Sequence, residues 1–85
     1  MYTKTLFGKE LKERVAHKQK IAEIGEWSFD VYTGDIKDDN DGEFSDILLI
    51  LRAMEEGPEF ELSYKRLNEI ADDLIAGKKN INMDY

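Results

Sequence analysis

The chain has no cysteine, a single proline, a single histidine and a single tryptophan among its 85 residues. Each scarcity excludes a class of protein. Without cysteine there is no disulfide scaffold, no thiolate metal site and no thiol nucleophile, so a domain of this size must be held by packing alone. No apolar run approaches the 18 or so residues that a membrane-spanning helix needs, and the lysine-studded first 20 residues do not read as a secretory signal. A cytoplasmic location is expected. At 85 residues the chain is one domain, burying roughly 60 to 65% of the surface its unfolded form exposes. That is enough for one core and too little for a deep substrate cavity as well.

Positive charge is also in short supply: 12 Lys and Arg stand against 19 Asp and Glu, for a net charge of -7. The imbalance is uneven along the chain. Residues 1–20 hold six basic and two acidic groups, whereas the rest hold six basic and seventeen acidic. An acidic body does not bind a phosphate backbone, since that affinity comes from Lys and Arg neutralising phosphates. It suits a basic partner. In the basic N-terminal segment the acidic residues interleave at helical spacing, which is the pattern of a solvated helix face.

Apolar periodicity predicts helices throughout. Phe7, Leu11 and Val15 stand four apart and mark a helix over residues 5–17. Ile21, Ile24, Ser28 and Val31 restart the pattern in a new phase, giving a second helical stretch over residues 18–33, read as continuing from the first after a bend, with two separate helices as the alternative. Gly25 inside it costs about 1 kcal/mol relative to Ala. It signals either a close helix crossing or a wrong assignment, and alternation of Trp27, Phe29 and Val31 offers a competing strand.

Residues 34–42 read GDIKDDNDG, a solvated loop. Asn40 followed by Glu43 has capping-box spacing, and Phe44, Ile47, Leu48, Leu51 and Met54 share one face of a central helix over residues 43–56. Gly57 is expected as its left-handed cap and Pro58 as its stop. Ser63 caps a last helix, with Leu62 and Leu67 at hydrophobic-staple spacing and Leu67, Ile70, Ala71, Leu74 and Ile75 as the buried stripe. Gly77 ends it. The expected architecture is all-α, a small irregular antiparallel four-helix bundle over residues 1–77 with a flexible tail over residues 78–85.

Few residues offer chemistry. Asp38, Asp39, Asn40, Asp41 and Gly42 resemble part of a calcium loop, but placing Gly42 sixth puts Lys37 at the first ligand position and Leu48 at the twelfth, where a carboxylate is required. His17 lies in a lysine-rich stretch with no nucleophile or orienting group in sequence. The acidic sets Glu23, Glu26, Asp30 and Glu69, Asp72, Asp73 each gather on a helix face. Acid-base catalysis, however, needs carboxylates in different environments. No glycine-rich phosphate loop is present. The expectation is a protein that is not an enzyme and takes no cofactor and no metal.

Recognition remains. Residues 35–46 carry six acids against Lys37, and Glu55, Glu56, Glu59 and Glu61 follow. Such a field steers a basic partner, while aromatics such as Trp27, Tyr32 or Tyr64 supply anchoring area. Tyr64 is the one expected to be exposed. The candidate partner-binding set is Asp38, Asp39, Asp41, Glu43, Glu55, Glu56 and Tyr64.

The stretch MEEGPEFELSYKRLNEIADDLIAG, residues 54–77, resembles the C-terminal half of small acidic helical proteins that bacteria make as immunity proteins against their own toxic effectors. The tyrosine-pair motif of the helical colicin immunity proteins is absent. The resemblance implies an inhibitor that neutralises a basic protein such as a toxin; the charge balance and the lack of a long apolar run add the expectation that it binds neither nucleic acid directly nor a membrane. The alternatives are a nucleic-acid mimic that occupies a DNA-binding protein, and a phage or accessory domain whose charge serves solubility.

Overall fold

The computed structural model describes residues 2–36, 42–79, 81 and 83, and these contain four α-helices: α1 (Lys4–Ala16), α2 (Ile21–Thr33), α3 (Glu43–Arg52) and α4 (Tyr64–Ile75). Two 3-10 turns, Ala53–Glu55 and Pro58–Phe60, link α3 to α4. The all-α expectation holds. The strand reading of Trp27, Phe29 and Val31 falls, since all three lie within α2.

The helices pack as two pairs, α1 against α4 and α2 against α3 with its following 3-10 turn. A glycine stands at each crossing. A Cβ on Gly8 would lie 2.7 Å from the Leu74 Cβ and 3.0 Å from the Ala71 carbonyl oxygen, and one on Gly25 would lie 2.9 Å from the Leu51 carbonyl oxygen. Gly25 is thus a close helix crossing, one of the two meanings its sequence allowed. One core cluster joins the pairs, with Phe7 and Leu11 from α1, Ile24 from α2, Phe44 and Leu48 from α3, and Leu67 and Ile70 from α4 all fully buried. Ser28 is buried among them, and its hydroxyl donates to the Ile24 carbonyl at 2.9 Å, which satisfies it within its own helix.

The first two helices are separate and not one bent rod. The Lys18 and Gln19 N–H groups return to the Val15 and Arg14 carbonyls at 3.0 Å each, closing α1 in a Schellman motif. That motif places Lys18 at φ 56, the left-handed conformation usually reserved for glycine. The end of α4 is built alike, with left-handed Gly77 and the Lys78 N–H on the Asp73 carbonyl at 3.0 Å. Gly77 was legible as a stop. Lys18 was not.

Ser63 caps α4 as expected, its hydroxyl oxygen accepting from the Arg66 N–H at 3.1 Å, and Leu62 and Leu67 are both buried. The α3 boundary differs from expectation. The helix stops at Arg52 and tightens into the first 3-10 turn, and Gly57 is extended, at φ 164 and ψ 160, instead of a left-handed cap. The tightened turn has already closed the helix end, so no left-handed residue is needed. At the other end Gly42 precedes α3 at φ 74, and Asn40, the expected cap, lies outside the described residues.

Tyr2 and Ile81 are both tied to the body. Tyr2 pairs with Ile36 in a single parallel bridge, its N–H on the Asp35 carbonyl at 2.9 Å. Of the residues after Gly77, Ile81 is buried in the core cluster. No helix among the described residues is long and apolar enough to cross a membrane.

Candidate functional site: an uncompensated acidic face

The expected acidic residues have different fates. Asp38, Asp39 and Asp41 lie outside the described residues. Glu43 is a structural group and not a free surface acid: one carboxylate oxygen accepts from the Lys4 ammonium at 2.8 Å and the other from the Ile81 N–H at 3.0 Å. The Lys4 and Glu43 side chains are only 9% and 16% exposed, so the pair joins the starts of α1 and α3 to the C-terminal segment in a mostly dry setting. Glu55 and Glu56 are exposed. Glu56 faces Arg52 one turn earlier at 3.4 Å, an exposed pair of small energetic value.

Tyr64 is half-buried, which corrects its expected exposure. Its hydroxyl lies 2.7 Å from the Gln19 carbonyl and 3.3 Å from that of Lys18. The Lys18 ammonium sits over its ring at 4.9 Å. Tyr64 therefore clasps the α1–α2 link, and its position at the first turn of α4, beside the Ser63 cap, is what aims it there.

Three ion pairs serve the α1–α4 pair of helices and its C-terminal end. Lys12 of α1 pairs with Asp72 of α4, Arg66 with Glu69 at 3.1 Å, and Lys78 with Asp73 at 3.8 Å. All three members of the Glu69, Asp72 and Asp73 set are thereby neutralised. The set on α2 is not. Glu23, Glu26 and Asp30 are exposed along one face of that helix, and none of them forms an ion pair among the described residues. Glu55, Glu59 and Glu61, exposed on the connection between α3 and α4, share that condition. The connection starts beside α2, where the backbone N of Glu55 stands 3.2 Å from the place of a Cβ on Gly25. The charge contrast read along the sequence thus becomes a contrast between halves of the fold. The acids of α4 are paired with cations, and the exposed acids of α2 and of the connection after α3 carry most of the unpaired negative charge among the described residues.

Trp27 behaves as a half-core residue. Phe7 stacks on it with centroids 4.6 Å apart and planes 6° from parallel, and the Arg14 guanidinium lies 4.0 Å from its ring centroid. Its remaining edge borders an open cleft of about 320 Å³ shared with Tyr2, Asp30, Val31, Gly34 and Asp35. The sequence could not place Tyr2 there, since the bridge to Ile36 is long-range and leaves no local signal. Burial, followed by the 2.8 Å hydrogen bond to Glu10, pushes the Tyr2 phenol above its ordinary value of 10.0.

The single histidine has neighbours that are engaged elsewhere. His17 borders a shallow cleft with Glu10, Glu13, Arg14 and Gln19, but Arg14 is held by the Gln19 side chain at 2.8 Å and Glu10 by Tyr2. Among the described residues no three His, Asp or Glu side chains are grouped as a metal ion would require. No family model, characterised protein or solved structure matches the chain.

Proposed function

We propose that this chain is a non-catalytic, cytoplasmic binding module, an irregular antiparallel four-helix bundle whose acidic α2–α3 side neutralises a basic protein partner in the manner of an immunity protein against a toxin. The observation that carries the reading is the segregation of charge. Six exposed carboxylates on α2 and on the connection after α3 form no ion pair among the described residues, while those on α4 do. Like charges left together on one side cost the fold self-repulsion, and they return that cost as steering when a basic surface approaches.

The nucleic-acid-mimic reading ranks second. A duplex carries about six charges over the length of two helical turns, about 10 Å, whereas α2 offers three carboxylates over that span. The row is thin for a phosphate backbone. A mimic would compete with DNA for its partner, and an immunity protein need not.

The test is affinity capture from native lysate at low and high salt, comparing the wild-type chain with a Glu55→Lys, Glu59→Lys variant. A basic protein retained at low salt, released at high salt, weakened by the charge reversal and inhibited when bound supports the reading. Identical capture by both forms, or none by either, overturns it.

A further inference from the structure

The cleft beside Trp27 is distinct from the acidic ridge after α3, and its chemistry is specific. Its floor is apolar and rigid: Val31 is buried, and Trp27 is fixed by Phe7 and Arg14. Tyr2 closes one side, held by its backbone bond to Asp35 and its hydroxyl bond to Glu10. Its rim carries the exposed carboxyl-bearing residues Asp30 and Asp35.

The cleft also sits at the C-terminal end of α2, where helix dipoles converge on a partial negative charge. No basic residue occupies the last turn of α2 to offset it. Gly34 follows at that end, and a Cβ there would come within 3.4 Å of the Asp30 carbonyl oxygen. Asp30, Asp35 and a helix C-terminus therefore border the same opening, and among the described residues that line it none is a cation, Arg14 lying behind it against the Trp27 ring. The volume, about 320 Å³, stands at the lower end of the range for small-molecule sites. It suits one side chain better than a cofactor.

We propose that this cleft receives a single long-stemmed cationic side chain, lysine or arginine, from the basic protein partner. The aliphatic stem lies along Tyr2, Trp27 and Val31, and the charged head meets Asp30, Asp35 and the end of α2. The inference rests on the binding-module reading for the source of the side chain, and the chemistry of the cleft stands apart from it. Charge complementarity selects the occupant: an anion is repelled by Asp30 and Asp35, and a neutral apolar side chain leaves both carboxylates unanswered.

The test uses the single tryptophan as a reporter. N-acetyl-arginine amide and N-acetyl-lysine amide are titrated into the isotopically labelled chain while the Trp27 indole N–H resonance is followed, with N-acetyl-citrulline amide as the uncharged control of the same shape. Both cations are expected to give a saturable shift and citrulline none. Asp30→Asn and Asp35→Asn, both exposed substitutions that leave the core untouched, should weaken binding about threefold each. Equal shifts with citrulline, or shifts indifferent to the two substitutions, overturn the proposal. If the cations fail at Trp27 while a basic protein is still captured, the cleft proposal falls and the binding-module reading stands. If they bind at Trp27 but no basic protein is retained, the cleft stands and the module reading falls.

Discussion

The Tyr64 hydroxyl donates a 2.7 Å hydrogen bond to the Gln19 carbonyl oxygen, tying the first turn of α4 to the link between α1 and α2. A buried or half-buried hydrogen bond of this kind is worth about 1 kcal/mol net. Tyr64→Phe keeps the ring under the Lys18 ammonium and removes only that bond. Its expected result is a loss of about 1 kcal/mol in urea denaturation, seen as a lower midpoint with an unchanged slope, and unaltered capture of a basic partner. Weakened capture at unchanged stability would return Tyr64 to the interface.

Lys18 tests the same link from the other side. A residue with a side chain in the left-handed conformation costs about 1 to 2 kcal/mol, part of which the cation–π contact with Tyr64 offsets by about 0.5 kcal/mol. Lys18→Gly removes the strain and the contact together. It is expected to raise stability by about 0.5 to 1 kcal/mol, measured by the same denaturation midpoint. A fall in stability would show that Tyr64 and Lys18 hold the link more strongly than the backbone resists it.

The two crossing glycines invert the usual helix propensity. In an open helix Gly→Ala gains about 1 kcal/mol, but at Gly8 and Gly25 the added methyl meets atoms at 2.7 Å and 2.9 Å. At Gly25 the obstacle is backbone, which cannot swing aside. Gly25→Ala is therefore expected to destabilise by about 1 to 3 kcal/mol as α2 is pushed from α3. Gly8→Ala is expected to act in the same direction at the α1–α4 crossing. A stabilised Gly25→Ala would mean the pair can separate without cost.

These sites show what the sequence disclosed and what it withheld. The Ser63 cap, the Leu62 and Leu67 pair and the Gly77 stop are local signals, read within a few residues, and each stands where it was expected. The break after α1 is not local. It needs a lysine in a conformation that sequence assigns to glycine, and Tyr64, 46 residues later, to hold it there. Gly25 gave half of its meaning: the residue flagged a crossing, but only the fold names Leu51 as what it meets. Gly8 passed unnoticed, because nothing nearby marked it as a second crossing. Glu43 is less exposed than its place in the sequence suggests, for a related reason. In sequence it belongs to an acidic run, and in space it is turned toward Lys4 and Ile81.

Removing the Glu43 carboxylate leaves Lys4, only 8% exposed, without that partner in a mostly dry site. Breaking a buried pair from one side costs about 3 to 5 kcal/mol, and the partial exposure of Glu43 places Glu43→Ala at the lower end. The Ile81 N–H also loses its acceptor. The variant is expected to be destabilised by about 3 kcal/mol and to lose amide-exchange protection at Ile81 before the amides of α4 are affected. Simultaneous loss at both would show that the C-terminal segment and α4 open as one unit.

Tyr2 predicts the behaviour of the N-terminal strap in alkali. Burial raises its phenol first, and the bond to Glu10 and that carboxylate's charge add to the shift, while Trp27 and Arg14 oppose it. The folded chain therefore resists ionising Tyr2 more than the unfolded chain does. A group raised on folding contributes stability in full below its unfolded value near 10, and that contribution is lost as pH climbs through the higher folded value. Urea midpoints measured between pH 8 and pH 11 should fall less steeply for Tyr2→Phe than for the wild-type chain, since phenylalanine has no proton to lose. Parallel curves for the two would mean that the phenol is as free to ionise in the fold as out of it. The strap would then be held by its backbone bond to Asp35 alone.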